Sequence, residues 1–559
     1  MAVVDRRIPW RVPWYFWVAA TVVVLVGIHL KAPHLLHGED LFLVVPGLFL
    51  LMLVAAIVWE LPPAAMVCGG LALTLFSGNW TTLGFPGFPF LPDRILIVAA
   101  LLALVLKSPG AVDLPRVRVR PVHLLMLLTV LYALASGVLA DTLGSKSTVF
   151  DLLDRLGAIP FLMFFVAPAI FSGPRERAWL LATLVGVGAY LGFTAIFESL
   201  GPHSLVFPHY IRALDVARQS TQATGPFSQV VTEGFACYAC AVAAVIAATR
   251  WRGGWRWFAI AVALACVFGS FLTYERGVWI GDAAGVAAAA LVSRDVRRWL
   301  IPALPVCALA VIGVLALPSV QSTASTRLNA IYPVWDRQNQ TVAALNMIQA
   351  KPLFGFGWDN WANTAAPYFR LGPNRLLTGY PSSLQQAALG GSSSGQSASA
   401  GGISSGPGLT HVEGALHDSY LSYAVELGLV GACMWLASIL WGLGSAVLGP
   451  GTPDLRGWRI GLVAIGACFL VLCAVDPLSQ NFTQLILWTW AGVAAGAGSL
   501  IGRGRAVRPP AKPGAPEPGY PNAGYPNAGN PNAGDAGHPN PGEPSPTEHD
   551  AAPLALSHR

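Results

Sequence analysis

An all-α, polytopic membrane protein is the fold class this sequence predicts, on three observations. Of its 559 residues, 54% are hydrophobic and only 11% are charged, against roughly 45–50% and about 25% in a soluble domain. Apolar runs, each long enough to cross about 30 Å of hydrocarbon, recur from Trp14 to Leu500. Basic residues collect in alternate connections between those runs, as they do where one side of a membrane retains positive charge. A soluble globular protein is excluded. The net charge of +6 reflects loop arginines and does not call for nucleic acid as a partner.

Taken in order, the runs give about 14 (12–14) transmembrane helices, at 14–30, 41–59, 62–77, 92–106, 121–140, 156–171, 178–197, 229–248, 255–273, 277–293, 299–317, 420–446, 458–476 and 482–501. Arg6, Arg7 and Arg11 precede the first run, Trp14 and Trp17 stand at its edge, and no small-residue cleavage site follows. Residues 1–13 therefore read as a cytoplasmic N-terminus before a retained span. Most of the 34 basic residues then fall on that same side, among them Arg116, Arg118 and Arg120, Arg175 and Arg177, Arg250 and Arg252, Arg294, Arg297 and Arg298, and Arg456 and Arg459. Both termini are thus expected in the cytoplasm. The eight cysteines lie in apolar runs and read as small core residues; Cys237 and Cys240 share a redox-motif spacing, but mid-span.

Three polar regions interrupt the pattern. Residues 503–559 repeat Pro-Asn-Ala-Gly and are expected to form a disordered cytoplasmic tail. An external loop covers 198–228 and carries Arg212 and Arg218. A second external loop, 318–417, is the largest polar feature; Val342, Leu345 and Ile348 predict an amphipathic helix over 338–350, and 390–407 is a Gly/Ser-rich linker.

A loop of that size on a bundle without a soluble domain is where chemistry is expected. Arg276, in the short turn of TYERGVWIG, reads either as an interfacial anchor paired with Glu275 or as a phosphate clamp, because a guanidinium stays charged and forks onto phosphate oxygens. His417 opens HDSYLSYAVELGLVG and reads either as a helix cap beside Asp418 or as a general base. Glu233 and Asp282, inside spans, read as hydrogen-bonded interior carboxylates or as a proton relay. His411, Glu413 and His417 match no metal-binding spacing, and no nucleotide-binding glycine loop occurs, so neither metal nor cofactor is expected.

In order, the chain carries an arginine-bearing external loop, an Arg-Gly turn, KPLFGFGWDNW over 351–361, and the His417 segment. This arrangement resembles the O-antigen ligase and O-antigen polymerase family of bacterial envelope enzymes. Pro352, Leu353, Gly355, Gly357 and Trp358 match the family's P-L-x-G-x-G-W stretch. His417, Tyr420, Leu421, Glu426, Gly428 and Gly431 match its His-Asn-x-Tyr-Leu and Glu-x-Gly-x-x-Gly stretch, with Asp418 in place of asparagine. Arg276 and Gly277 match its Ser-Arg-Gly turn, with Glu275 in place of serine. Thr224, Gly225, Pro226 and Phe227 resemble a further family stretch, but Arg218 stands farther from Gly225 than the family pattern has it, which leaves Arg212 as a rival.

The resemblance implies a metal-independent membrane glycosyltransferase of the bacterial plasma membrane. It would move a glycan from a polyprenyl-diphosphate carrier to a hydroxyl of a lipid or glycan acceptor, outside the cytoplasm and among membrane lipids. It implies His417 as base, Arg276 with Arg218 or Arg212 on the diphosphate, and Trp358 and Trp361 shaping a glycan cleft. A lipid-linked glycan flippase or other transporter is the alternative class, which the interior carboxylates would suit, although the halves of the chain show no matching patterns.

Overall fold

The computed structural model describes residues 57–84, 91–106, 116–212, 222–302, 313, 332–369, 416–449, 452–476, 478, 480–496 and 500–501. Predicted spans 14–30, most of 41–59 and 299–317, the linker 390–407, the tail 503–559 and Arg218 lie outside the described residues.

Fourteen α-helices carry the argument: α1 (Pro63–Leu73), α2 (Pro92–Leu106), α3 (Pro121–Leu139), α4 (Lys146–Asp154), α5 (Ala158–Ile170), α6 (Pro174–Leu200), α7 (Val230–Arg250), α8 (Gly254–Phe271), α9 (Arg276–Val292), α10 (Tyr332–Ala350), α11 (Trp361–Thr364), α12 (Ser419–Leu448), α13 (Arg456–Leu472) and α14 (Asn481–Ala495). Among the described residues, strand occurs only as the antiparallel pair Arg116–Val117 with Leu500–Ile501. Six helical segments are long and apolar enough to cross a membrane: Pro121–Leu139, Pro174–Leu200, Val230–Arg250, Gly254–Phe271, Ser419–Leu448 and Pro453–Leu472. Runs 62–77, 92–106, 156–171, 277–293 and, as far as Ala495, 482–501 also fold as helices, each shorter than these six.

The packing is that of a protein in hydrocarbon. Helix α3 buries Val122, Met126, Thr129, Ala133 and Gly137 on one stripe. Its other side exposes Leu124, Leu127, Leu128 and Leu131, each about half accessible. Such a leucine stripe is costly in water and neutral against lipid tails. At the other extreme, every residue of α14 is buried, so this helix runs through the bundle interior against α5 and α13. The cysteines at 68, 237, 240, 266, 468 and 473 are buried and unbridged, and Cys433 is exposed. They act as small packing residues: Cys266 lies against α6, its thiol 3.1 Å from the Gly188 carbonyl.

The connections sort into two ends. At one, the arginine-rich connections meet: Arg177 pairs with Asp454 at 2.6 Å, Arg250 donates to the Asp454 carbonyl at 2.9 Å, and Arg456 pairs with Asp295 at 3.0 Å. Helices α6, α7, α8, α12, α13 and α14 run between this end and the other. There the connections 77–84, 140–157, 222–228, 273–276, 351–360 and 473–476 converge.

Two local readings change. The amphipathic helix exists but begins at Tyr332, and its buried stripe is Ala343, Ala344 and Met347. Leu345, expected on the apolar face, is exposed, because the alanine pair lets α10 approach α12 more closely than a leucine row would. Helix α4, a nine-residue element in the 140–157 connection, has no counterpart in the span pattern.

Candidate functional site

The site is built where two glycine-bearing segments interlock. Helix α12 breaks its regular geometry at Gly428, with φ 70° and ψ 178°. The turn-rich stretch 352–357 lies in the break. Leu429 N–H donates to the Pro352 carbonyl at 2.8 Å, Phe356 N–H to Val425 at 2.9 Å and Gly357 N–H to Glu426 at 2.9 Å. The loop thus satisfies carbonyls that the kink frees from helical pairing. A Cβ on Gly355 would stand 2.5 Å from the Gly428 nitrogen, and one on Gly428 would stand 2.2 Å from the Leu353 oxygen. Two backbones touch here, and only glycine permits it.

That docking carries Trp358 onto Arg155. Trp358 is fully buried, its ring 4.6 Å from the Arg155 guanidinium carbon and stacked on Tyr423 at 5.9 Å. Arg155 Nη2 donates to Glu426 at 2.5 Å, and its Nη1 lies 3.5 Å from Asp151. Tyr423 OH donates to the Arg155 carbonyl at 2.8 Å. Asp359 accepts from Thr148 of α4 at 2.7 Å. Above this buried pair opens a polar cavity of about 890 Å³, bordered by Asp151, Arg155, Asp359, Asn360, Trp361 and Leu416.

Leu416 leads directly into His417. Asp418, not His417, caps α12: its carboxylate accepts from Leu421 N–H at 3.0 Å. The cap role open to the histidine is therefore taken, and aspartate serves it as asparagine would. His417 is instead tied by its backbone N–H to Gln340 of α10 at 3.1 Å, and its Nδ1 is buried without a hydrogen-bond partner. Burial, and then the Arg337 guanidinium, push its pKa below the ordinary 6.5, with Glu275 opposing. The imidazole is neutral at pH 7 and able to accept a proton.

Around it stand groups from four elements. Glu275, before α9, pairs with Arg337 of α10 at 3.2 Å. Asp476, after α13, accepts from Gln229 at 3.2 Å. Its own carbonyl accepts from Ser419 at 3.1 Å. Burial raises the Asp476 carboxyl to about 7, against the lowering effect of Arg337. Arg276 adjoins Glu275 as the first residue of α9, its side chain exposed.

Of the residues singled out from sequence, the fold thus brings His417 together with the turn that bears Arg276. Trp361, 4% exposed, borders the cavity while packing on α10 and Leu416. Trp358 does not border the 890 Å³ cavity itself; its ring lies behind Arg155, which does. Arg212 is exposed on the 198–228 connection. Glu275 takes Arg337 as its ion-pair partner. Glu233 is fully buried, one carboxylate oxygen without a partner, and Asp282 accepts from Ser270 at 2.5 Å. Among the described residues, no group of three or more His, Cys, Asp or Glu side chains is arranged to hold a metal ion. Arg155, Arg337 and Asp476 carry no sequence signal of their own: Arg155 sits in the polar stretch between two apolar runs, Arg337 in the 318–417 loop and Asp476 at the end of the 458–476 run. Compared with known protein families and with curated proteins, the chain matches none.

Proposed function

We propose that the protein is an integral membrane glycosyltransferase resembling the O-antigen ligases and polymerases. It transfers a glycan from a polyprenyl-diphosphate carrier to an acceptor hydroxyl. The observation that carries the reading is the position of His417: neutral, freed from capping, beside the Glu275–Arg337 pair and the Arg276 turn, and next in sequence to a wall of the polar cavity.

In this reading the acceptor hydroxyl oxygen attacks the anomeric carbon of the carrier-linked sugar. Its proton passes to His417 as the new glycosidic bond forms. The bond from that carbon to the diphosphate oxygen breaks, and the electron pair leaves with the diphosphate. Arg276, with Arg218 or Arg212, takes up the charge, an effect of several kcal/mol when donors are preorganised away from water. General-base assistance contributes roughly 10²–10⁴-fold. With guanidinium groups on the diphosphate, the scheme needs no divalent ion. The finer topology belongs to the same proposal: about 14 spans, a bacterial plasma membrane, the arginine-rich end and both termini in the cytoplasm, and the 318–417 loop outside.

The test is transfer by purified protein in lipid vesicles, supplied with a polyprenyl-diphosphate glycan and candidate lipid or glycan acceptors in the presence of a chelator. Wild type should form product and His417→Ala none. Movement of the donor across the bilayer without covalent product would overturn the reading in favour of transport.

A further inference from the structure

Helix α4 has a cavity on each of two sides, and the smaller has no part in the scheme above. It encloses about 330 Å³, at the lower end of the roughly 300–1,000 Å³ typical of ligand pockets. Its walls come from the connection after α1, the starts of α2 and α14, and α4 itself. Three of its polar side chains are largely buried yet incompletely paired. Asn481 is 3% exposed, and neither its amide oxygen nor its amide nitrogen has a partner. Asp154 is 6% exposed; one oxygen accepts from Arg94 Nη2 and the other, Oδ1, is unpaired. Arg94 leaves Nε and Nη1 unpaired. A buried polar group left without a partner is destabilising, so three neighbouring side chains with spare capacity mark a place shaped for something other than the protein itself.

We infer that this cavity is a saccharide subsite that takes one uncharged sugar ring. The free edge of Arg94 donates, Asp154 Oδ1 accepts and the Asn481 amide does both, which matches hydroxyl groups that each donate and accept. Trp80 and Phe150 supply the apolar walls that the C–H faces of a pyranose pack against. An anion fits less well. The Arg94 charge is already met by Asp154, and Asp151 also borders the cavity. Asp151 borders the larger cavity too, so the two subsites adjoin across α4.

The choice of a saccharide rests in part on the transferase reading, so the test reads binding and not turnover. Full-length His417→Ala protein in nanodiscs is titrated with methyl glycosides of hexoses, pentoses and N-acetylhexosamines, and with glucuronate and inorganic phosphate, by saturation-transfer NMR. Saturable binding of at least one neutral glycoside is expected. Asn481→Ala should weaken it at least about tenfold without lowering the unfolding temperature, because that amide has no partner in the protein to lose. Thr81→Trp, which adds bulk to the exposed rim, should block it. Equal affinity in Asn481→Ala, preference for either anion, or no saturable binding in the parent would each overturn the assignment. If glycosides bind but wild type transfers nothing, the subsite stands and the transferase reading falls.

Discussion

At the scale of single residues, His417 and Arg276 make different demands. His417 must be neutral to accept a proton, and its folded pKa lies below 6.5. Transfer should therefore hold from neutral pH upward and decline on acidification with a midpoint below 6.5, as measured by initial rate against pH. Glu275 acts against that lowering and Arg337 supports it, so Glu275→Gln should move the midpoint further down. Linkage works in the same direction: the buried imidazole resists the proton that the unfolded chain takes up, so its contribution to stability is lost as pH falls below about 6.5. Arg276 serves as a fork and not only as a charge. Arg276→Lys should then lose nearly as much transfer as Arg276→Ala, and full activity in the lysine variant would leave the residue an interfacial anchor.

Arg155 and Glu426 set a different constraint, because both are buried and paired with each other, Asp151 being a second and more distant carboxylate for Arg155. Removing one partner strands a charge at a cost of about 3–5 kcal/mol. Arg155→Met and Glu426→Leu should each lower the unfolding temperature sharply, and the double variant should be less damaged than either single one. Additive losses in that thermal-unfolding cycle would show that the pair is not a unit.

At the scale of elements, the decisive event is the docking of 352–357 into the kink of α12. Gly428 adopts a backbone conformation open essentially to glycine alone, and any side chain there would strike the Leu353 carbonyl. Gly428→Ala should expel the loop at a cost of roughly 1–3 kcal/mol or more. Limited proteolysis should then cut within 351–363, where wild type resists. The helices themselves were legible as apolar runs, since burial in hydrocarbon needs length and composition only. The register of α10 was not, because leucine's hydrophobicity outweighs alanine's on any scale, while close packing of α10 on α12 favours the smaller residue. Helix α4 was hidden for a related reason: nine residues of mixed polarity leave no run to detect, although they wall both cavities.

At the scale of the whole molecule, the arginine-rich connections form one end of the bundle and the candidate site the other. If the arginine end is cytoplasmic, single cysteines placed at Ser145 and Asn363 in a cysteine-free background should react with an impermeant maleimide in intact cells. One at Arg297 should react only after permeabilisation, and the reverse pattern would invert the topology. Composition, run length and arginine spacing were enough to establish an all-helical membrane protein with two chemically different ends, because those properties answer to the solvent and not to any partner residue. The pairings that make the site were decided by tertiary structure alone. Arg155 lies against Trp358 and pairs with Glu426 across 271 positions, Glu275 meets Arg337 across 62, and Asp154 meets Arg94 across 60. Each of these contacts depends on where a polar side chain finds its counterpart in a low-dielectric interior, and local sequence carries no record of that distance.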